Sequence, residues 1–353
     1  MRAASARAIS SHRNSATRDG LERAVAWSRR WSAEFPFFLA NHLPMVLVAL
    51  HRMGATDERL EAYCRIYHEQ NGLVPVPEPT TKITRDNWRD FLGEREREGD
   101  YRAFFADEVA RLGATPAAVH YLPELMPGLA ASALHAFMRM AYATLTMSEL
   151  ETSVALAYWA ATYLSLGASR GRAAATSNPA EVLAFMDGPA TFKNVETERD
   201  LLWHFMRAIS LKPEFEPVVD LLAIGPDAHD RVARCSLALY AGTLDFCALH
   251  AVTGTHWLRL IAPRTPDWVT PLRYFWQAIA ALAPKIGFPR LPSGDQLEAW
   301  RRMPLPDWPE ILCEAVSHDD EHDLSLSFSA AEEFKRYGDP LYQYAAAKRL
   351  NLI

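Results

Sequence analysis

Apolar residues recur at spacings of three and four along most of this chain, as in Leu134, Phe137, Met138, Ala141 and Tyr142. That period keeps an apolar stripe on one face of an α-helix. Alternating apolar and polar runs are almost absent, and no convincing strand exceeds about five residues. The spacing predicts helices over Leu21–Ser32, Asp57–Gln70, Asp100–Leu112, Leu129–Leu145, Ser148–Leu166 and Thr197–Ile209. Further helices are predicted over Ala228–Leu249, Val269–Leu282, Asp295–Arg302, Trp308–Val316 and Pro340–Leu350. Start signals precede several: Thr56-Asp57, the Ser148-Glu149-Leu150-Glu151 capping box, and Asn178-Pro179 ahead of Ala180–Met186.

Proline-rich connectors at 74–79, 263–271, 284–292 and 304–309 punctuate the helices. They are short and carry Leu, Phe or Trp, so they read as packed loops rather than interdomain linkers. The expectation is an all-α fold: one large helical domain over residues 19–353, preceded by a disordered basic tail over 1–18. That tail is rich in Ala, Ser and Arg, without an acidic residue or an apolar core. This argues against a secretory signal and leaves a transit-like presequence as the alternative.

A net charge of −6 argues against a nucleic-acid or anionic-membrane binder, which needs a basic surface. No window reaches the ~18 uninterrupted apolar residues of a membrane span. Cys64, Cys235, Cys247 and Cys313 are scattered, which fits reduced thiols in a cytoplasmic protein. No Gly-rich nucleotide fingerprint, P-loop or nucleophile elbow is present, so a nicotinamide or flavin fold is unsupported. The sequence assigns no oligomeric state.

The chemistry-bearing residues are histidines. His318-Asp319-Asp320-Glu321-His322 places two imidazoles four residues apart with three carboxylates between. On a continuous helix the two rings would share a face and hold one metal ion. The segment also matches the inverted zincin pattern, a zinc hydrolase signature in which the Glu is general base. That fold needs a distant acidic third ligand, and only Glu332 and Glu333 follow closely. Asp319 and Asp320 are equally explained as a solvated helix start. His42, His135, His250 and His322 lie in apolar helical contexts where a solvated imidazole is unusual. A single such residue is ordinarily a core histidine bonded to a carbonyl. Four on separate helices favour a metal site between core helices. The aromatic residues Tyr142, Tyr158, Trp159 and Tyr163 read first as core.

Five blocks, in order, resemble the questin oxidase-like family: Asn41-His42-Leu43-Pro44-Met45, Leu134-His135 with Ala141-Tyr142-Ala143, Leu156–Ala160, Leu249–Thr253 and Asp319–His322. Members of that family are largely helical and oxidatively open hydroxyanthraquinone rings with O2. This is described either as Baeyer–Villiger-type oxygenation or as dioxygenase cleavage at a non-haem iron held by four histidines and a carboxylated lysine. By position, the resemblance implies His42, His135, His250 and His322 as ligands of Fe(II) or another divalent metal. It implies O2 as co-substrate and an aromatic small molecule as partner, and leaves NADPH open.

The chain departs from the family pattern at the lysine, where Ser325 stands. Serine cannot form a carbamate, and Lys335 lies about 15 Å further along a continuous helix. His318, Asp319 or water are the substitutes to consider. Asp245, Asp320 and Glu321 are expected to bond the unligated ring nitrogens, with Asn41 orienting the loop. His256 and Thr253 are expected to line the pocket beyond a bend at Gly254. Tyr142, Trp159 and Phe246 are expected to stack on a flat substrate. The competing readings are a catalytically degenerate binding protein and the zinc hydrolase.

Overall fold

The computed structural model describes residues 18–353. The tail expected over 1–18 therefore lies outside the described residues except for Arg18, which already belongs to the first helix. That helix, α1, spans residues 18–28. It is followed by α2 (Leu43–Met53), α3 (Asp57–Asn71), α4 (Glu98–Leu112), α5 (Ala114–Leu125), α6 (His135–Thr146) and α7 (Glu149–Ala161). Next come α8 (Pro179–Phe185), α9 (Leu202–Ser210), α10 (Val218–Leu221), α11 (Ala228–Thr243) and α12 (Phe246–Ile261). The chain ends with α13 (Val269–Leu282), α14 (Gly294–Arg301), α15 (Trp308–Ser317), α16 (Glu321–Tyr337) and α17 (Leu341–Arg349). Two-residue strands β1 (Glu34–Phe35) and β2 (Leu39–Ala40) pair antiparallel around an aromatic tip. The fold is a single all-α domain. No described helix is long and apolar enough to cross a membrane.

Local chemistry explains where helices begin. Thr56, Ser148, Asn178, Asp245, Ser293, Asp307 and Asp320 each accept a hydrogen bond from a backbone N–H of the first turn. These groups have no partner inside the helix, so an oxygen-bearing cap stabilises each start by about 1 kcal/mol. Gly54, Gly72 and Gly338 end α2, α3 and α16 in the left-handed conformation. At Ser148 only half of the expected capping box forms. The Glu151 carboxylate turns inward instead, where it pairs with Arg29 and with Arg139, a guanidinium 1 % exposed.

Four helices form the centre. α2 packs on α6 and α16, and α12 packs on the same two, closing a ring. Helices α7, α11, α13, α15 and α17 pack around this ring, and α4 packs on α7. The apolar core runs through all of these layers, with a smaller cluster under α1, α2 and α3.

Three boundaries differ from expectation at places that matter. The first is the helix expected over Ala228–Leu249, which ends at Thr243 with Leu244 left-handed, so that α12 starts afresh at Phe246. The helix expected from Leu129 starts only at His135, because Ser132, Ala133 and Leu134 take left-handed φ of 47°, 52° and 75°. Residues 318–322 do not form one helix: His318 is extended (ψ 153°) and closes α15, and α16 starts at Glu321. No bend occurs at Gly254, which lies within a continuous α12. A Cβ there would lie 2.2 Å from the Phe275 ring, so glycine lets α12 and α13 approach. Replacing it with alanine gains ~0.5–1 kcal/mol of helix propensity. Overpacking costs about 1–3 kcal/mol or more and should win. Gly254→Ala is thus expected to lower stability in denaturant unfolding; a more stable variant would show that the interface has slack.

Candidate metal centre and substrate cavity

Each of the four central helices begins at or within a few residues of a histidine, and these starts share one end of the ring. His42 immediately precedes α2 and is fixed from both sides. Its N–H donates to the Tyr67 hydroxyl at 2.9 Å, and its Nδ1 bonds Ala40 O at 2.9 Å. Asn41 ties the approach: Nδ2 donates to Ser32 O, and Oδ1 accepts from Leu43 N. His135 is the first residue of α6, with Nδ1 2.5 Å from Ser132 O, so the left-handed run just before it aims the ring. His250 sits one turn into α12 and bonds Phe246 O through Nδ1 at 3.1 Å. His322 rides on the first turn of α16, whose N–H groups Asp320 caps.

A carbonyl can only accept, so Nδ1 of His42, His135 and His250 carries the proton and Nε2 keeps a free lone pair. Burial and neighbouring rings hold the His42 and His250 pKa well below the ordinary value, and burial lowers His135 to about 4. The rings converge. Centroids lie 4.4 Å apart for His42–His135, 4.9 Å for His42–His322, 5.6 Å for His135–His250 and 6.0 Å for His250–His322. One nitrogen each of His42, His135 and His322 falls within a mutual 4.8 Å; His250 is not part of that group. Nε2 of His322 is buried without a partner. An orphaned acceptor costs about 1–3 kcal/mol, which a bound cation would offset. The donor set therefore fits a divalent metal of the imidazole-binding kind.

Beside the rings lies a cavity of about 320 Å³, walled by Phe35, Phe38, Trp203 and Phe246, with Glu321 at its floor. Glu321 Oε1 lies 3.7 Å from His42 Nδ1 and 3.9 Å from His322 Nδ1. At the rim Lys285 Nζ meets Asp200 Oδ1 at 2.6 Å. The tip between β1 and β2 forms one wall. Phe37 and Phe38 both adopt left-handed φ, 72° and 62°, and Phe37 is 69 % exposed. Arg95 stacks its guanidinium 3.9 Å from the Trp203 ring and behind Phe38.

Several sequence expectations are corrected here. His318 does not pair with His322, since both its ring nitrogens are engaged, Nδ1 with Asp323 at 2.7 Å and Nε2 with Glu314 at 3.2 Å. Asp319 meets Arg59 instead of the rings. Asp245 spends its carboxylate capping α12. Tyr142 and Trp159 are core residues, 2 % and 0 % exposed, and Trp159 donates to Gly128 O; neither lines the cavity. Phe246 does line it, its ring 4.6 Å from His322. His256 is buried against Ser329 and Phe328, away from the cavity, and Thr253 bonds Leu249 O in its own helix. Ser325 is buried on α16, one turn past His322. The sequence reading missed Phe38, Trp203 and Lys285. The exposed Phe37-Phe38 pair ahead of Asn41-His42 was the available signal for the first.

Burial also makes a pH prediction. His135 at about 4 and His256 at about 3 are held neutral in the fold. Unfolding returns both rings to water, where they bind protons below about pH 6.5. Their stabilising contribution is complete above that pH and is lost as pH falls toward the folded values. With chelator present, these two rings alone should lower the unfolding free energy from denaturant melts by roughly 3–5 kcal/mol between about pH 7 and 4.5, and His42 and His250 add to the fall. An unchanged stability across that window would contradict the neutral rings.

Comparison with known proteins bears on the same residues. The family model described as questin oxidase-like matches residues 39–326, a span that includes His42, His135, His250 and His322. No curated protein matches the chain. The matched span takes in each of the four central helix starts and the cavity walls Trp203 and Phe246, and so the chain belongs to the questin oxidase-like family, a membership that points to an oxidoreductase.

Proposed function

We propose that the protein is a metal-dependent oxygenase, probed first with iron, acting on a flat aromatic polyketide-like substrate such as a hydroxyanthraquinone. The observation that carries this reading is the set of inward imidazoles whose Nδ1 atoms are tied to carbonyls, with one Nε2 buried and unpartnered. His42, His135, His250 and His322 would hold the metal. When bound, it would supply a Lewis acid and a redox centre where O2 and an aromatic ring can react.

The chain's own residues account for binding and orientation. Phe35, Phe38, Trp203 and Phe246 offer aromatic faces to a planar ligand, and the cavity is at the lower end of the ~300–1,000 Å³ of small-molecule sites. Glu321, at the floor beside His42 and His322, is placed to accept a phenolic proton at Oε1. Lys285, which also lines the cavity and pairs with Asp200 at 2.6 Å, offers an ammonium N–H donor to the resulting phenolate. The second reading, a binding protein without turnover, is favoured by Ser325 in place of the family lysine. The zinc hydrolase reading loses its support because His318 is committed to Asp323 and Glu314.

Metal analysis of anaerobically purified protein tests the reading. About one equivalent of metal per chain is expected, and His42→Ala, His135→Ala or His250→Ala should each reduce it to background. Full occupancy in those variants would sink the assignment. Glu321→Gln should keep the metal while lowering oxygen consumption with a hydroxyanthraquinone by about 10–100-fold. Ligand binding without oxygen consumption in the unaltered chain would select the second reading.

A further inference from the structure

Two turns beyond its histidine, each of three site helices carries a polar residue. Tyr142 follows His135 by seven positions on α6, Trp257 follows His250 by seven on α12, and Ser329 follows His322 by seven on α16. Seven residues advance about 10.5 Å along a helix, so these side chains form a second layer beneath the imidazoles. Tyr142 faces Ser325, Ser329 and Trp257. All four side chains are buried. Yet Tyr142 Oη, Ser325 Oγ and Trp257 Nε1 have no hydrogen-bond partner.

Ordinary core packing does not explain this. Thr162, Thr253 and Thr255, on α12 or at the end of α7, fold their hydroxyls back onto carbonyls of the preceding turn. Ser325 and Ser327 do not. Buried polar groups that face one another without a well-formed direct bond are the usual setting of an internal water. The polar row also continues. Ser329 Oγ lies 3.1 Å from Nδ1 of His256, whose Nε2 is unpartnered. One turn further along α16, Glu333 is fully buried with Oε2 unpartnered, and Oε1 meets Arg259 at 2.7 Å. The Arg259 side chain is 33 % exposed, so this end of the row reaches solvent.

We propose that this layer is an internal hydration chamber, with waters following the Ser325–Ser329–Glu333 face of α16 from the histidine cluster to Arg259. Resting on the oxygenase reading, its use is proton transfer. Oxidation by O2 moves protons as well as electrons, and the aromatic cavity walls carry none. Only O–H and N–H bonds are made and broken along the row.

The chamber itself is testable without turnover. In the full-length chain labelled with 15N-tryptophan, hydrogen exchange of the indole N–H groups is followed by NMR, with Trp257→Phe assigning its signal. Trp159 and Trp276 are internal standards, because their buried indoles donate to Gly128 O and Pro179 O. Trp257 should exchange about tenfold faster or more than both, since water reaches it without wider opening. Ser329→Ala should slow it toward them. Protection equal to the standards overturns the proposal. So does a crystal structure, at a resolution that shows ordered waters, in which the layer is dry. Metal content measured on the same samples reports on the oxygenase reading alone, so the two can fail separately.

Discussion

The bond on which the site depends is the one from an imidazole Nδ1–H to a nearby backbone carbonyl. It recurs three times, from His42 to Ala40, His135 to Ser132 and His250 to Phe246. In each case the acceptor lies two to four residues back, so the anchor is local and its geometry is set by how the chain enters the helix. The anchor fixes the tautomer and leaves Nε2 basic. It also restricts ring rotation, so that positioning the helix start positions the lone pair. Burial then keeps the rings neutral, which three imidazoles within a few ångströms of one another require. An imidazolium in this cluster would face like charges and four helix N-termini with little water to screen them.

Much of the fold was legible in the sequence because its signals are local. Period-3.6 patterning located most helices, though not α2 or α16 at the centre, and the caps at Thr56, Ser148 and Asn178 are readable from side chains that compete for first-turn N–H groups. The apolar surroundings of His42, His135, His250 and His322 also marked them out, because four imidazoles in apolar contexts on separate helices are unusual even though one alone is ordinary. What remained hidden was tertiary. Residues 132–134 read as helix by spacing, yet a left-handed run there is what turns His135 inward. His318 and His322 read as one face of a helix, and a break at 318–320 separates them. Trp159 and Tyr142 share composition with pocket aromatics; only packing shows that they are core. Trp203 lies far in sequence from the four clustered histidines, and no periodicity could bring it to the cavity.

Backbone strain is concentrated beside the site. Left-handed φ at Phe37, Phe38, Ser132, Ala133 and Leu134 costs on the order of 1–3 kcal/mol per residue, and two of these are bulky aromatics. The surrounding packing has to impose such conformations. β1 and β2 pin the first segment, Arg95 stacks behind it, and the Ser132 hydroxyl bonds Glu34. Glu34 in turn pairs with Arg95 at 2.8 Å, so one buried ion pair braces both strained segments. Burial raises the Glu34 pKa, which means that the pair persists only because Arg95 and Ser132 offset that cost. Cavity wall and His135 are thus held by the same three residues, and a change at Glu34 would disturb both together.

The position of Ser325 connects the site to the layer below it. The family resemblance places a lysine there, and a lysine would direct a long side chain from α16 toward the four histidines. Serine is too short to reach them. It instead leaves a hydroxyl facing Tyr142, in a core otherwise packed with Leu, Ala and Phe. An alanine would have filled the same volume without an orphaned oxygen, so a serine here implies something to bond. Ser329 and Glu333 repeat the demand at four-residue intervals, on the face that α16 turns to α12. The residue that stands in place of the family lysine is therefore the first residue of the polar row beneath the histidines. Both the charge at the histidines and the polarity under them change at this single position.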